Sequence, residues 1–490
     1  MKKKLIIIFS VAIVIIFSIF FILFITKDND LIFKKIKLLI PNSSKTLLKE
    51  TIFKSYYDKK QLKVKNNELT AQKELLLEIL KFKNQFVDNV LESNYYNYDE
   101  DLYLIFKNEK EIVTTKNKFN LKLYISPFIN KPIHPRAIGS AFIEEFQNKI
   151  YLADSNGKFF YFSKSDLEVG LNQINKKIIP TNLKDIISYK YFYTKQEYSI
   201  KDLLIHNNKI YISFINEKDK GCFNTSILEA ELNQNFLNFD YFFDPVDCIK
   251  EKNDLGFFNP HISAGRIEIL DNSNLIFSTG GFQYFGISQN DKSPLGKILK
   301  ININTKKYKI LSLGHRNVQG LEFNSKNNYI ISSEHGPIGG DEININLLNK
   351  SEPLNFGWPI ASYGDHYTTD INKRYELAPL KKNHSKFGFM EPLIFFKPSI
   401  ATSEILNVDK FLSDKDNLDD YFLGTLGHDK NLNHFYLHHL KLNYKNNKIH
   451  IFDKIFIGER IRDMKYIDDL NLILLFLENS GSLGVLKLSN

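Results

Sequence analysis

The sequence predicts an all-β chain folded as a six-bladed β-propeller, preceded by an N-terminal transmembrane helix and a short helical segment. Three observations carry that prediction. One strand–turn–strand unit recurs six times from Ser140 onward, aromatic residues are abundant, and the chain opens on an uncharged apolar run.

The repeat is a short alternating strand, an Asn or Asp turn and a more apolar strand. The first strands begin at or beside Ser140, Asp202, Arg266, Gly320, Glu404 and Asp463, and the turns fall at Asn148, Asn208, Asn274, Asn328, Asp420 and Asn471. Asn and Asp tolerate the backbone of tight turns, so each pair reads as a β-hairpin. The units recur every 50 to 90 residues or so, more than the roughly 40–50 residues of a four-stranded propeller blade, so loops fill the difference. Radial closure protects strand edges that a long open sandwich would expose. The 41 Phe and 25 Tyr suit such a core, because aromatic side chains pack well on pleated surfaces.

Lys2, Lys3 and Lys4 precede the uncharged run from Leu5 to Thr26, and Asp28 and Asp30 follow it. The run is long enough to cross a hydrocarbon core of about 30 Å. The positive-inside tendency puts Met1 in the cytoplasm and the rest outside. The run exceeds the apolar region of a cleaved signal peptide, and no small-residue cleavage site follows it. It therefore reads as an uncleaved single-pass anchor, residues 1–26, in the inner (cytoplasmic) membrane, with the propeller on the periplasmic or extracytoplasmic side. Residues 27–110 are Lys-rich. Within them Leu76, Ile79, Leu80, Phe86, Val87, Val90 and Leu91 recur at three- and four-residue spacing, an amphipathic helix serving as stalk or packing segment. Residues 111–490 form the propeller. Cys222 and Cys248 are the only cysteines; an exported chain permits a disulfide between them, with two buried thiols as the alternative.

The net charge of +9 is modest, and no dense basic tract with interleaved aromatics is present, which speaks against nucleic-acid binding. Polar residues gather at one phase of the repeat. His261 lies just before the third unit, His315, Arg316, Asn317 and Gln319 lie just before the fourth, and Glu459, Arg460 and Arg462 lie just before the sixth. In a propeller such positions share one ring about the axis, so they converge on one mouth of the central channel, a natural ligand site. Three arginines there fit a ligand with several carboxylates. Alternatively, Arg460 and Arg462 bridge neighbouring blades through Glu459 and Asp463.

Three ordered segments sharpen this. Gly314-His-Arg-Asn-Val-Gln-Gly-Leu-Glu-Phe323, Ser333-Glu-His-Gly-Pro-Ile-Gly-Gly-Asp-Glu342 and Asn355-Phe-Gly-Trp-Pro-Ile-Ala-Ser-Tyr-Gly364 closely resemble the signature of the PQQ-dependent soluble glucose and aldose-sugar (glucose/sorbosone) dehydrogenases. His261-Ile-Ser-Ala-Gly-Arg266 and Glu459-Arg-Ile-Arg-Asp463 look like two further blocks of that family. The resemblance implies a six-bladed propeller with PQQ over the channel mouth, held by Arg316, Asn317, Arg460 and Arg462. His335 and Asp341 would occupy other positions of the cofactor site, although Asp341 and Glu342 have the alternative of holding their loop together. The carbonyls of Gly336 and Pro337 would bind Ca²⁺, which accepts such ligands readily. His261 would be the general base for a sugar hydroxyl, with the metal and Arg316 stabilising charge that develops on the quinone.

The chain departs from the family pattern at three places. The His261 block is one residue longer before Gly265. Gly281 stands where an acidic residue usually supports the histidine. Gly427 stands near the place of a lysine that contacts PQQ in some relatives, with His428 and Lys430 beside it. The expected function is a membrane-anchored PQQ- and Ca²⁺-dependent dehydrogenase of an aldose sugar or related small alcohol, with no electron acceptor specified by the sequence. The alternative is a non-redox extracytoplasmic propeller that binds a carbohydrate, an anionic ligand or a protein partner.

Overall fold

A computed structural model describes residues 103–489, apart from 126–138, 193–194, 196, 256, 368–375 and 414–415; of residues 1–102 it describes Leu62, Thr70 and Lys73. The expected anchor and the amphipathic stretch from Leu76 to Leu91 lie outside the described residues. Among the described residues no helix is long and apolar enough to cross a membrane.

All six repeat units are antiparallel hairpins, and each is the inner half of one sheet. Blade 1 is Ala141–Phe146, Lys149–Asp154, Phe159–Ser163 and Lys177–Ile179. Blade 2 is Ile200–His206, Lys209–Asp219, Cys222–Glu231 and Asp240–Phe243. Blade 3 is Ala264–Asp271, Asn274–Thr279, Lys297–Asn302 and Tyr308–Leu313, with Leu354–Asn355 added in parallel. Blade 4 is Val318–Asn324, Tyr329–Glu334, Asp341–Leu347 and Ile394–Phe396. Blade 5 is Thr402–Asn407, Asp419–Thr425, Tyr436–Asn443 and Lys448–Phe456. Blade 6 joins the two ends of the propeller. Ile461–Ile467, Leu472–Leu477 and Ser482–Leu488 pair onward with Lys118–Ile125, in register from Phe119 opposite Leu488 to Ile125 opposite Ser482. Tyr103–Val113 then extends this blade, starting a few residues ahead of the boundary expected at 110.

The first strand of each blade packs against the first strand of the next, round to blade 1 again, so six inner strands enclose the axis. Three of the turns behave as expected: Asn208, Asn328 and Asn471 have positive φ, which Asn tolerates better than most residues. The turn expected at Asp420 is not there; Asp420 lies inside the strand Asp419–Thr425, and a longer connection carrying the helix Asp409–Leu412 joins the first two strands of blade 5. The core is a set of wedges between blades. Consecutive residues of each second strand feed opposite wedges. Ile212 packs with Phe142 toward blade 1, while Tyr211 packs with Phe277 toward blade 3. Ile330 and Ile331, Tyr421 and Phe422, and Ile473 and Leu474 divide in the same way. A strand buried on both faces must be apolar at successive positions, which is why these strands lack alternation. Each fully buried side chain of this kind contributes about 1.5–3 kcal/mol. Cys222 and Cys248 form a disulfide with Cα atoms 5.4 Å apart, beside the short pairing of Cys222–Glu231 with Ile249–Lys250.

Five of the inner strands carry a register shift near their start, between Ile200 and Asp202, Ala264 and Ile267, Val318 and Gly320, Thr402 and Ile405, and Ile461 and Asp463. A bulge re-aims side chains and increases local twist. Here it turns charged residues of several blades onto the axis. Arg266 Nη1 lies 3.0 Å from Asp202, 2.7 Å from Glu404 and 2.7 Å from Asp463. Below it Lys465 pairs with Glu144 at 2.7 Å. These groups line a channel void of about 50 Å³ together with Glu268 and Glu322.

Candidate active site

The bulges also set the mouth of the channel. A cavity of about 600 Å³ opens there, a size usual for small-molecule sites. His261, Arg316, Asn317, His335, Gly336 and Asp341 line it, with Asn259, Gln283, Tyr367 and Ser399 among the other walls.

Behind His261 the backbone is bulged: Ala264 takes a φ of 53° and Gly265 one of 126° at the start of blade 3. The preceding loop is tied down by Asn259 N–H donating to Phe282 O at 2.9 Å and Phe282 N–H to Ile262 O at 2.9 Å. Asn259 Oδ1 accepts the backbone N–H of His261 at 3.0 Å. His261 stands at the cavity mouth exposed to solvent. Crowding by the pocket walls, and after it the charge of Lys201, pull its pKa down toward about 4 against Glu197, a pull that its solvent exposure weakens. No carboxylate comes from position 281: a Cβ on Gly281 would meet Ile287 at 3.0 Å and Ser288 at 3.2 Å.

Arg316 is buried, donates to His335 O at 2.9 Å and lies over the Trp358 ring at 5.4 Å. Burial pushes its pKa down, which marks a cation short of compensation. The Oδ1 of Asn317 accepts from Ala264 N at 2.9 Å and Gln319 Nε2 at 3.1 Å, leaving its NH₂ group as the donor for a ligand. His335 shares its Nε2 proton with Thr402 O at 2.6 Å, and burial followed by Arg316 lowers its pKa to about 3. Both oxygens of Asp341 are engaged, by Gly336 N at 3.1 Å and Ala401 N at 2.6 Å, so its carboxylate staples the loop under the cavity. Gly336 is required there, since a Cβ would stand 1.8 Å from Gly340 O. Gly336 lines the cavity. The Pro337 carbonyl instead accepts Gly340 N at 3.1 Å and Ser399 Oγ at 3.4 Å, and Pro337 is not among the lining residues. Among the described residues no group of three His, Cys, Asp or Glu side chains is placed to hold a metal.

Arg460 and Arg462 stand one step back. Their charges reach His261 and His335, yet neither lines the cavity itself. They do not bridge to Glu459 and Asp463: Glu459 accepts from Ser480, and Asp463 pairs with Arg266. Their partner is Glu478, which sequence reasoning missed. Glu478 Oε2 lies 2.9 Å from Arg460 Nε and 2.8 Å from Arg460 Nη2, and Oε1 lies 2.6 Å from Arg462 Nε. Gly427 is explained by a second missed residue. A Cβ there would stand 2.1 Å from the His434 ring, so His434 fills the space of a side chain at 427. The neighbouring His428 Nε2 lies 3.1 Å from Arg460 Nη1.

The residues present fit a flat polyanion such as PQQ on one observation above all: a buried guanidinium, Arg316, and the Asn317 amide line one open cavity. For Ca²⁺ the fit is narrower and rests on the Gly336 carbonyl.

The family model for glucose/sorbosone dehydrogenases matches residues 198–485, more than half of the chain. An uncharacterized protein of Synechocystis is 33% identical over 211 residues, 40% of this chain and 46% of that protein. Aldose sugar dehydrogenase of Escherichia coli is 29% identical over 234 residues, 43% of this chain and 57% of that enzyme. The chain thus spans about half the length of the curated relatives it matches. Among solved structures, the soluble aldose sugar dehydrogenase of Escherichia coli in its apo form superposes with a TM-score of 0.56 at 20% identity, covering 76% of this chain and 99% of that one. The PQQ-bound aldose sugar dehydrogenase of Streptomyces coelicolor gives 0.50 at 16% identity, covering 76% and 99%. At such identities the likeness speaks for the fold.

Proposed function

The chain belongs to the glucose/sorbosone dehydrogenase family, and on that premise we propose that it oxidises an aldose sugar or related alcohol with PQQ at the channel mouth. The observation that carries this reading is one cavity lined by an imidazole held neutral, His261, and a buried guanidinium, Arg316.

When bound, PQQ supplies a quinone that accepts hydride. Arg316 and the Asn317 amide would hold it directly, with Arg460 and Arg462 supplying charge for its carboxylates. Of the two residues expected to hold Ca²⁺ by their carbonyls, only Gly336 lines the cavity and would offer one, because the Pro337 carbonyl already accepts Gly340 N and Ser399 Oγ. His261 takes the proton of the sugar hydroxyl at a ring nitrogen. Because its pKa is lowered, the base form is the resting form at neutral pH, although a base of low pKa gives less driving force per proton. Asn259 fixes the His261 backbone, and the charge of Glu197 partly offsets that of Lys201. Arg316, itself buried in the cavity wall, would stabilise negative charge that develops on the quinone.

Membrane anchoring through residues 1–26, with the propeller in the periplasm or outside, is part of the proposal and rests on the basic–apolar–acidic order of the N-terminus. The same holds for the stalk at 27–110. The test is dye reduction by a panel of aldoses after addition of PQQ and Ca²⁺. Sugar-dependent, PQQ-dependent reduction supports the proposal. Sugar binding by protein that takes up no PQQ would favour a non-redox carbohydrate-binding propeller instead, the reading that Gly281 favours.

A further inference from the structure

Glu478 is fully buried, and its carboxylate contacts three other side chains. It receives Arg460 on one oxygen and Arg462 on the other, and Ser140 Oγ donates to Oε1 at 2.6 Å. Burial raises its pKa, but Arg462 and Arg460 outweigh that and hold it at about 2. It is therefore ionised throughout the range in which the protein is handled. Its backbone N–H also donates to Arg460 O at 2.9 Å, so the carboxylate and the strand it serves are locked together.

The contacts run on to the cavity wall. Arg462 Nη1 donates to Gln319 Oε1 at 3.2 Å, Gln319 Nε2 donates to Asn317 Oδ1 at 3.1 Å, and Asn317 lines the cavity. On the other branch Arg460 Nη1 contacts the Leu426 carbonyl and His428. Two neighbouring guanidinium groups repel each other; burial first, and then the charge of Arg462, lower the pKa of Arg460 against the pull of Glu478. A carboxylate shared between them cancels that repulsion and fixes both planes, because a guanidinium is a rigid fork that follows its acceptor.

We infer that Glu478 is a positioning residue that fixes Arg460 and Arg462 behind the cavity wall and, through Arg462 and Gln319, orients the Asn317 amide toward PQQ. The inference rests on the PQQ reading. Glu478 touches neither cofactor nor sugar, and it acts on cofactor affinity through the residues it holds.

The experiment is PQQ titration of full-length wild type, Glu478→Gln, Glu478→Asp and Ser140→Ala, followed by calorimetry, with thermal melting of each unliganded protein alongside. Loss of a buried partner that orients binding groups costs about 10–100-fold in comparable sites. We expect Glu478→Gln to weaken PQQ binding at least about tenfold while the KM for sugar at saturating PQQ stays within twofold. Ser140→Ala keeps the charge and loosens one oxygen only, so it should weaken PQQ binding by a smaller factor with folding intact. A merely structural role would lower the melting temperature and shift KM and PQQ affinity without that order. Wild type that binds PQQ together with variants that bind it equally well would overturn the inference alone. Wild type that does not bind PQQ would overturn the cofactor reading and the inference with it.

Discussion

Replacing Arg266 with Met should destabilise the propeller in a way that grows with pH. Arg266 is the cation at the centre of the channel, and its charge is shared by Asp202, Glu404 and Asp463 from blades 2, 5 and 6. It also donates from Nε to Gln319 O at 2.7 Å and from Nη2 to Arg462 O at 2.9 Å, under the pocket floor. Removing one partner of a buried ion pair costs about 3–5 kcal/mol, because the remaining charge is left uncompensated. Here the carboxylates can relieve part of that cost by taking up protons. Burial already raises the pKa of Glu144 and of Asp202 to about 7 and that of Glu404 well above its usual range, even with Arg266 in place. For such raised acids the contribution to stability is present below their unfolded pKa near 4 and is lost as pH rises through about 7. Without Arg266 the folded state binds still more protons than the unfolded chain, so each pH unit costs about 1.4 kcal/mol for every extra proton held. Urea unfolding followed by fluorescence, at about pH 5.5 and about pH 8, reads both terms. The expected result is a loss of at least about 3 kcal/mol near pH 8 and a clearly smaller loss near pH 5.5. A loss below about 1 kcal/mol, or an equal loss at both pH values, would refute the channel electrostatics.

Other consequences follow from the same geometry. If His261 is the base, kcat/KM should fall on the acid side near pH 4, where the ring protonates, and not near its ordinary value of about 6.5; Lys201→Met should move that limb upward, and an acid limb near 6.5 in the wild type would contradict the assignment. Gly427→Lys places a Cβ on the His434 ring and should cost about 1–3 kcal/mol of stability by thermal melting, part of it recovered by adding His434→Ala. Equal stability of Gly427→Lys and wild type would show that the His434 side chain does not fill that space. Cys222→Ser opens a 26-residue loop and should cost about 3 kcal/mol on the chain-entropy account, with reduction by dithiothreitol lowering the wild-type melting temperature as well.

The six blades were legible because most of their turns are punctuated by Asn and because each second strand, buried on both faces, is continuously apolar. What lay hidden was set by bulges. Ile467 pairs with Leu472 and Ile461 with Leu477, so the hairpin slips by one residue between Ile461 and Asp463. Counting back from the Asn471 turn without that slip sets Arg460 opposite Asn479, which conceals Glu478. The same kind of bulge lies at Ala264 and Gly265, three residues after His261, which lines the cavity. His261, Arg316 and Asn317 were legible as one ring because propeller phase is a sequence property, whereas His335 came only through the family resemblance. Arg460 and Arg462 share that phase, yet they stand behind the cavity wall and pair with Glu478. For Asp341 the sequence left a cofactor position and a loop-holding role open, and the occupied acceptors favour the second; His434 carried no signal, since nothing in a sequence shows what fills the space above a glycine.

The central claim is that the cavity at the channel mouth binds PQQ through Arg316. Trp358, the one tryptophan of the chain, lies 5.4 Å from that guanidinium and reports on it directly. Its fluorescence should be quenched saturably by PQQ at micromolar concentration in the presence of Ca²⁺, and Arg316→Ala should shift the midpoint at least about tenfold upward, the loss of roughly one charge-assisted hydrogen bond. Quenching that does not saturate, or a midpoint unchanged by Arg316→Ala, would contradict it.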